Sequence, residues 1–462
     1  MTIPKTLLRD FRKLLGEDSV LSEEADLLSY AFDSAVVGQS VPSVVLAPAT
    51  EGLLGRTVKA CYDAGLQITA RGAGTNLSGA AVPGAGPSAV ILTNRLNRIL
   101  EVNEADLYAV VEPGVVTADF AKAMEAKGLF YPPDPGSQQV STLGGNVALN
   151  AGGLRGLKYG VTKDYLMGVE FFDWGGELVK SGSRTVKWVT GYNLPGLMLA
   201  SEGTLGIFSK LILKLVPPPK ASVAMLASYP SVGAASQTVA AIIAAHVLPS
   251  TLEFLDRKCL QVVEANARIG LPTDAGAILL IETDGGHAEG VKEEAELVRS
   301  ICLKNGAGSV RVAKDAAERD ALWAARRNTL PSLARLRPTT VLEDATVPRS
   351  KVPEMVAAVE RLAKEHGLEV GTFGHAGDGN LHPTILCDRR DREGFKKVEA
   401  MVDGIFTEAL ALGGTLSGEH GIGIAKAKWL SREENAATIG LSKAIRKALD
   451  PRQLFNPGKK VV

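Results

Sequence analysis

Two histidines, His375 and His382, stand seven residues apart in the stretch GHAGDGNLHP, and Glu419 and His420 are adjacent in SGEHGIG. These residue types bind divalent metals and move protons. On a helix, seven residues separate two Cα atoms by about 10.5 Å, too far for one ion with ligand bonds of about 2 Å. Gly377 and Gly379 also disfavour a helix, by roughly 1 kcal/mol each. On an uninterrupted strand the odd spacing places the histidines on opposite faces. A hairpin resolves the conflict. The midpoint falls between Asp378 and Gly379, and Asp-Gly is favoured in two-residue hairpin turns. Such a turn predicts Gly377 opposite Asn380, Ala376 opposite Leu381, and His375 opposite His382 with Cα atoms about 5 Å apart. The two imidazoles then either share an ion or form a hydrogen-bonded core pair. On extended chain, Glu419 and His420 point to opposite sides. One can complete a metal site while the other faces a substrate, and the sequence alone leaves the two roles interchangeable. Arg326 and Arg327, in LWAARRN, are planar donors matched to a carboxylate; a structural ion pair is the alternative. His246 and His287 have no candidate ligand beside them, and His366 ends a helix, where a cation suits the dipole.

The elements that position these groups follow from pattern. Ser43 to about residue 218 reads as strands alternating with helices. SVVLAP, QITAR and AVILT are buried strands, followed by EVN and LYAVVEPG. Helices are predicted with caps at Ser22, at Thr50 and at Thr117, the last running to about Lys127. GTLGIFSKLILKLV is the last strand before PPPK, Pro217 to Lys220, the best linker candidate. Beyond it, ASVAMLASYP, a helix, TLEFLD, AILLIETDG, a long charged helix and SVRVAK predict a β-α-β-β-α-β order, an antiparallel sheet with helices on one face. Three glycine-rich loops lie before the linker: RGAGTNLSG, STLGGNVALNAGG and SEGTLG. None is a P-loop or a G-x-G-x-x-G opening a helix. Together they suit a long ligand with phosphates in its middle, bound by backbone N–H groups and a helix N-terminus.

With 462 residues, and 51 basic against 51 acidic side chains, the chain is long enough for two or three domains and gives no footing for nucleic acid or an acidic membrane. Cys61, Cys259, Cys302 and Cys387 contain no C-x-x-C pair, so neither a disulfide framework nor a cysteine-ligated iron–sulfur cluster is expected. The first residues lack the apolar core of a secretory signal, and no apolar run approaches the roughly 20 residues of a membrane span. The expectation is a cytoplasmic protein, peripheral to a membrane at most through a partner.

The ordered set PSVVLAP, RGAGTNLSG, PPDPGSQQVSTLGGN, NAGG, KYG and ASEGTLGIF resembles the FAD-binding domain of the vanillyl-alcohol oxidase superfamily. HAGDGNLHP, SGEHGIG and FNPGK resemble its glycolate oxidase and D-lactate dehydrogenase branch. The resemblance implies an α+β fold: a two-subdomain FAD-binding domain over residues 1–218, an antiparallel-sheet α+β cap over 219–412 carrying the metal hairpin, and a segment 413–462 returning to the flavin. It implies that Arg71, Gly72, Ala73, Gly74, Thr75, Asn76 and Gly79 contact the FAD pyrophosphate. Pro133, Ser137, Thr142, Gly145, Asn146, Asn150 and Gly152 would line the flavin, Glu202 and Ile207 the adenosine end, and Asn456 the far side of the isoalloxazine. Thr75 stands where covalent-flavin relatives carry a histidine, so FAD is expected to bind non-covalently. The resemblance assigns His375, His382 and Glu419 to a divalent metal, for which zinc, iron and manganese are all admissible, His420 to the general base and Arg326 to the substrate carboxylate. The activity implied is FAD-dependent oxidation of a D-2-hydroxy acid by hydride transfer to flavin N5. Relatives acting on 2-hydroxyglutarate carry a lysine where VLEDATVP has Leu342, which favours D-lactate or glycolate over D-2-hydroxyglutarate. Electrons would leave through a separate acceptor, iron–sulfur subunits or an electron-transferring flavoprotein. The rival readings are a zinc hydrolase, which leaves the glycine loops without a role, and a catalytically silent FAD-binding subunit.

Overall fold

Two units with separate cores make up the chain, and the computed structural model describes residues 3–461. The first unit comprises Met1–Gly152, Val161–Pro218 and Glu419–Val462; the second comprises Gly153–Gly160 and Pro219–Gly418.

The first unit holds two sheets. Strands β1 (Val20–Leu21), β2 (Val44–Leu46), β3 (Gln67–Arg71) and β4 (Ser88–Leu92) form a sheet of order β1-β2-β4-β3, parallel except for β1. Every residue of β4 is buried, as befits a parallel strand covered on both faces. The crossover helix Glu51–Asp63 starts where Thr50 caps Leu53 N–H, and packs Leu54, Val58 and Cys61 on Val44, Leu46, Ile68 and Ile91. Strands β5 (Ile99–Asn103), β6 (Tyr108–Val111), β7 (Leu166–Phe172), β8 (Leu178–Gly182) and β9 (Ile207–Lys214) form an antiparallel sheet of order β5-β6-β9-β7-β8. Phe120 and Met124 of the helix Thr117–Glu125 seal it. The C-terminal tail lies beside β3: Ile68 N–H donates to Leu454 O, Asn456 N–H donates to Ile68 O, both at 2.7 Å, and Phe455 enters the core.

Two expected caps differ. Thr117 sits inside the first turn, with Val116 as N-cap, because its hydroxyl is engaged with Ser141 O at 3.0 Å. Ser22 accepts from Arg12, and the helix Glu24–Leu28 has no side-chain cap.

In the second unit, β10 (Ala221–Tyr229), β11 (Thr251–Asp256), β12 (Ala277–Gly285), β13 (Ser309–Val312), β14 (Thr339–Leu342), β15 (Ala345–Thr346), β16 (Glu369–His375) and β17 (Asn380–Cys387) build one antiparallel sheet. Its order is β13-β10-β12-β11-β16-β17-β14, with β15 also on β17. The expected strand and helix order is corrected by an additional helix, Arg257–Ala267, between β11 and β12. Asp256 caps it by accepting from Cys259 N–H at 2.8 Å, and Cys259, Leu260, Val262 and Val263 form its buried stripe. The adjacent valines hide this helical period. Helices therefore cover both faces, not one: Val232–Ala244 and Ala288–Lys304 on one side, Arg257–Ala267 and Ala316–Arg327 on the other. The continuous apolar run AILLI in β12 is the pattern of a strand buried twice.

Candidate functional site

The hairpin forms, in a different register from the one its Asp-Gly pair suggested. His375 pairs with Asn380, Gly374 with Leu381, and Phe373 with His382, leaving Ala376, Gly377, Asp378 and Gly379 as the turn. Neighbouring chain decides this. Gly379, at φ +90°, lies so close to Val347 O that a Cβ would sit 2.1 Å from it, and Gly377 is packed on Leu157 and Leu252. Asp378 accepts from Asn380 N–H at 3.2 Å, a turn role. His382 lies opposite Phe373, two residues from His375, so the histidines are same-face diagonal neighbours across the ladder. Their ring centroids are 5.2 Å apart at 89°.

The same face carries a carboxylate that the sequence reading passed over. β11 pairs with β16 through Phe254 and Gly374, and one further step sets Glu253 opposite His375. Glu253 is fully buried; one oxygen meets His375 Nδ1 at 2.7 Å and the other accepts from Arg326 Nε. Burial drives its carboxyl pKa up, but the charges of His375 and Arg326 outweigh burial and the net shift is downward. An ionised carboxylate only accepts, so Nδ1 carries a proton in this bond. Arg326 comes from the end of the helix Ala316–Arg327 and stacks 4.7 Å above Phe373. Only its Nε is bonded among the described residues, which leaves the two terminal nitrogens for a bidentate partner. A glutamate among buried residues of TLEFLD was the available signal. Leu342 ends β14 and packs on the core that includes Phe373 and Trp323.

The first unit gathers the glycine loops. Arg71 ends β3, bonds Phe32 O at 2.8 Å, and lies where a Gly74 side chain would be. Gly74 and Gly79 take φ of +73° and +81°, and Gly72 passes so close to Thr142 that a Cβ would be 2.3 Å from its hydroxyl. No protein acceptor is assigned to the N–H groups of Ala73, Gly74, Thr75, Asn76 and Leu77 among the described residues. Such a run of successive free amides fits a pyrophosphate. Asn76 folds the loop: its Oδ1 accepts from Ser78 and Ala80 N–H, and its Nδ2 donates to His420 O at 3.0 Å.

The other sequence-derived positions are spread through this unit. Thr142 caps the helix Leu143–Leu149 by accepting from Gly145 N–H; Asn146 donates to Thr117, and Asn150 accepts from Lys163 N–H. Pro133 and Ser137 lie on the loop between Tyr131 and that helix, and Ile207 is a core residue. Glu202 accepts from Ile422 and Gly423 N–H at 2.7 and 2.8 Å, and Asn456 donates to Ala80 O and Glu202 O. Gly152 makes room for Glu419, whose Oε2 is 2.6 Å from where a Cβ would stand. Glu419 and His420 do not point apart as extended chain would require. Residues 418–420 bend, and His420 Nε2 is 4.0 Å from Glu419 Oε1.

The family model for the FAD binding domain matches residues 42–182, and that for the C-terminal domain of FAD linked oxidases matches residues 218–460. The chain is a member of the FAD-linked oxidase family. This oxidase is 46% identical to the glycolate oxidase subunit GlcD of Bacillus subtilis, over 99% of its own length and 97% of that relative's. It is 36% identical to the Escherichia coli subunit of the same name (96% and 88% covered) and 32% identical to a D-lactate dehydrogenase of Anaerostipes hadrus (98% and 96% covered). Among solved structures, p-cresol methylhydroxylase superposes with a TM-score of 0.82 at 18% identity, covering 98% of this chain and 96% of the other. Alkyldihydroxyacetonephosphate synthase does so with 0.78 at 18% identity, covering 99% and 86%. These two likenesses establish the vanillyl-alcohol oxidase type of fold. No helix among the described residues is long and apolar enough to cross a membrane.

Proposed function

We propose that this FAD-linked oxidase converts a small D-2-hydroxy acid, D-lactate or glycolate, to its 2-oxoacid, with His375, His382 and Glu419 holding one divalent metal. Each of the three offers one ligand atom. The observation that carries the reading is the Arg326–Glu253–His375 chain, in which one buried carboxylate orients both an arginine and an imidazole. Chain continuity supports Glu419 as third ligand. Its covalent neighbour Gly418 packs on Asn380, where a Cβ would be 2.6 Å from Nδ2, and Asn380 is the ladder partner of His375. Two imidazoles and a carboxylate admit zinc, iron or manganese.

FAD, held without a covalent bond, supplies the hydride acceptor when bound, and the metal supplies positive charge for the substrate's carboxylate and hydroxyl. Arg326 grips the carboxylate with its free terminal nitrogens. His420 takes the hydroxyl proton as the α-carbon loses its hydride. Asn76 ties the His420 main chain to the cofactor loop, so base and cofactor share one support. Leu342 offers no charge to a second carboxylate, which favours monocarboxylates. The D-preference and the glycolate alternative rest on the relatives' names. Because the Bacillus subtilis relative is named a subunit, electrons are assigned to a separate acceptor protein, an iron–sulfur subunit or an electron-transferring flavoprotein, in a cytoplasmic or membrane-peripheral complex.

Anaerobic titration with D-lactate, followed in the visible flavin band, tests this reading. The expected result is bleaching that chelation abolishes and added metal restores. A yellow protein left oxidised by D-lactate, glycolate and D-2-hydroxyglutarate alike would reduce the assignment to an FAD-binding subunit.

A further inference from the structure

Lys459, in the tail motif FNPGK, is 1% exposed, and its ammonium has no carboxylate in ion-pair range among the described residues. Its Nζ donates to Val82 O at 2.6 Å and approaches Pro457 O at 3.4 Å. A buried cation resting on carbonyls alone is costly, so a purely packing role is better filled by an apolar side chain. The position explains the cost. Val82 follows the glycine loop Arg71–Gly79 by three residues, and Asn456, three residues before Lys459, donates to Ala80 O at 2.7 Å. Behind the tail, Arg446 binds Lys459 O, Val461 O and Phe455 O, which fixes the tail's path. The tail therefore grips the outgoing limb of the cofactor loop with two buried polar side chains, one of them charged.

We propose that Lys459 is a positioning residue for FAD, a buried cationic latch that holds the C-terminal tail to the cofactor loop and makes the protein beneath that loop positive. This rests on the assignment of the glycine loop to FAD. The charged groups around Lys459 are Asp33, Glu202 and Arg446; Arg71 faces Asp33, and Lys460 lies 3.8 Å from Glu202. Burial, the largest influence, lowers the Lys459 pKa to about 8, against the opposing pull of Asp33 and Glu202. The ammonium is present below that value and is lost as pH rises through it, so affinity for the anionic cofactor falls in the same direction.

The test is FAD affinity of the apoprotein, measured by quenching of flavin fluorescence on either side of about pH 8. For wild type, the Kd should rise across that interval. For K459M, the Kd should be about 10- to 100-fold higher at neutral pH, the range for a bond to a charged group, with the pH step gone. K459R should recover part of the affinity. Apoprotein circular dichroism and thermal unfolding separate binding from folding. A K459M protein that binds FAD as wild type does, or a flat wild-type profile, overturns the latch. If K459M does not fold, the wild-type profile decides alone. Failure of wild type to bind FAD at any pH would instead remove the loop assignment on which the latch depends.

Discussion

H420Q is expected to remain yellow and FAD-loaded while its flavin is reduced by D-lactate on the order of 10²–10⁴ times more slowly than in wild type, the usual worth of a positioned base. Glutamine keeps the polarity and much of the volume of the side chain but cannot take a proton near neutral pH. The main chain at this position is held independently, through the Asn76 bond to His420 O and the Glu202 bonds to the amides of Ile422 and Gly423. Cofactor binding is thus expected to survive the change. Anaerobic stopped-flow reduction isolates the chemical step from reoxidation by a partner. A wild-type rate in H420Q would take proton abstraction away from His420 and leave it a structural neighbour of Glu419.

The second large effect concerns Glu253. E253A removes a fully buried carboxylate from between His375 and Arg326. Breaking a buried pair in this way costs about 3–5 kcal/mol, because the partner charge is left without compensation. Misfolding would then obscure function, so E253Q is the sharper variant. Its amide keeps the volume and one acceptor, but it loses the charge and can no longer accept from both partners through two equivalent oxygens. Metal affinity is expected to fall about 10- to 100-fold, as for other changes behind a ligating histidine, and KM for the hydroxy acid to rise with the loosened Arg326. FAD content should stay as in wild type. Metal per chain after dialysis and the KM shift are the readouts, and wild-type values for both would confine Glu253 to a packing role.

Much of this was legible in residue types, and the failures have identifiable physical causes. The turn at Arg71–Gly79 was legible because the positive φ of Gly74 and Gly79 calls for glycine. The strands Val44–Leu46, Gln67–Arg71, Ser88–Leu92 and Tyr108–Val111 followed from their apolar runs, whereas Leu166–Phe172 and Leu178–Gly182 were not foreseen. The hairpin around Asp378 was foreseen but its register was not. Turn propensity is worth less than the contact between Gly379 and Val347 O, which lies 32 residues away in sequence. The helix Arg257–Ala267 was missed where two β-branched residues stood in its buried stripe. Glu253 and Lys459 were missed for a common reason. A charged residue within a strand or tail reads as solvent-facing, and nothing in the local sequence reveals that the fold buries it against distant partners.

The tail that lies beside β3 has a consequence for biosynthesis. Ile68 and Phe455 bridge across 387 positions, Tyr62 bonds Asp450 at 2.8 Å, and Phe455 fills the core of the sheet built from residues 20–92. At translation rates of about 5–20 residues per second, the nascent β3 edge waits roughly 20–80 s for its neighbour. In that interval it is an unpaired strand edge, the surface on which chains aggregate. The amino-terminal half of the cofactor domain is made first yet finished last. Closure of that edge waits for residues 454–456, so a chain cut before Leu454 would leave the sheet open.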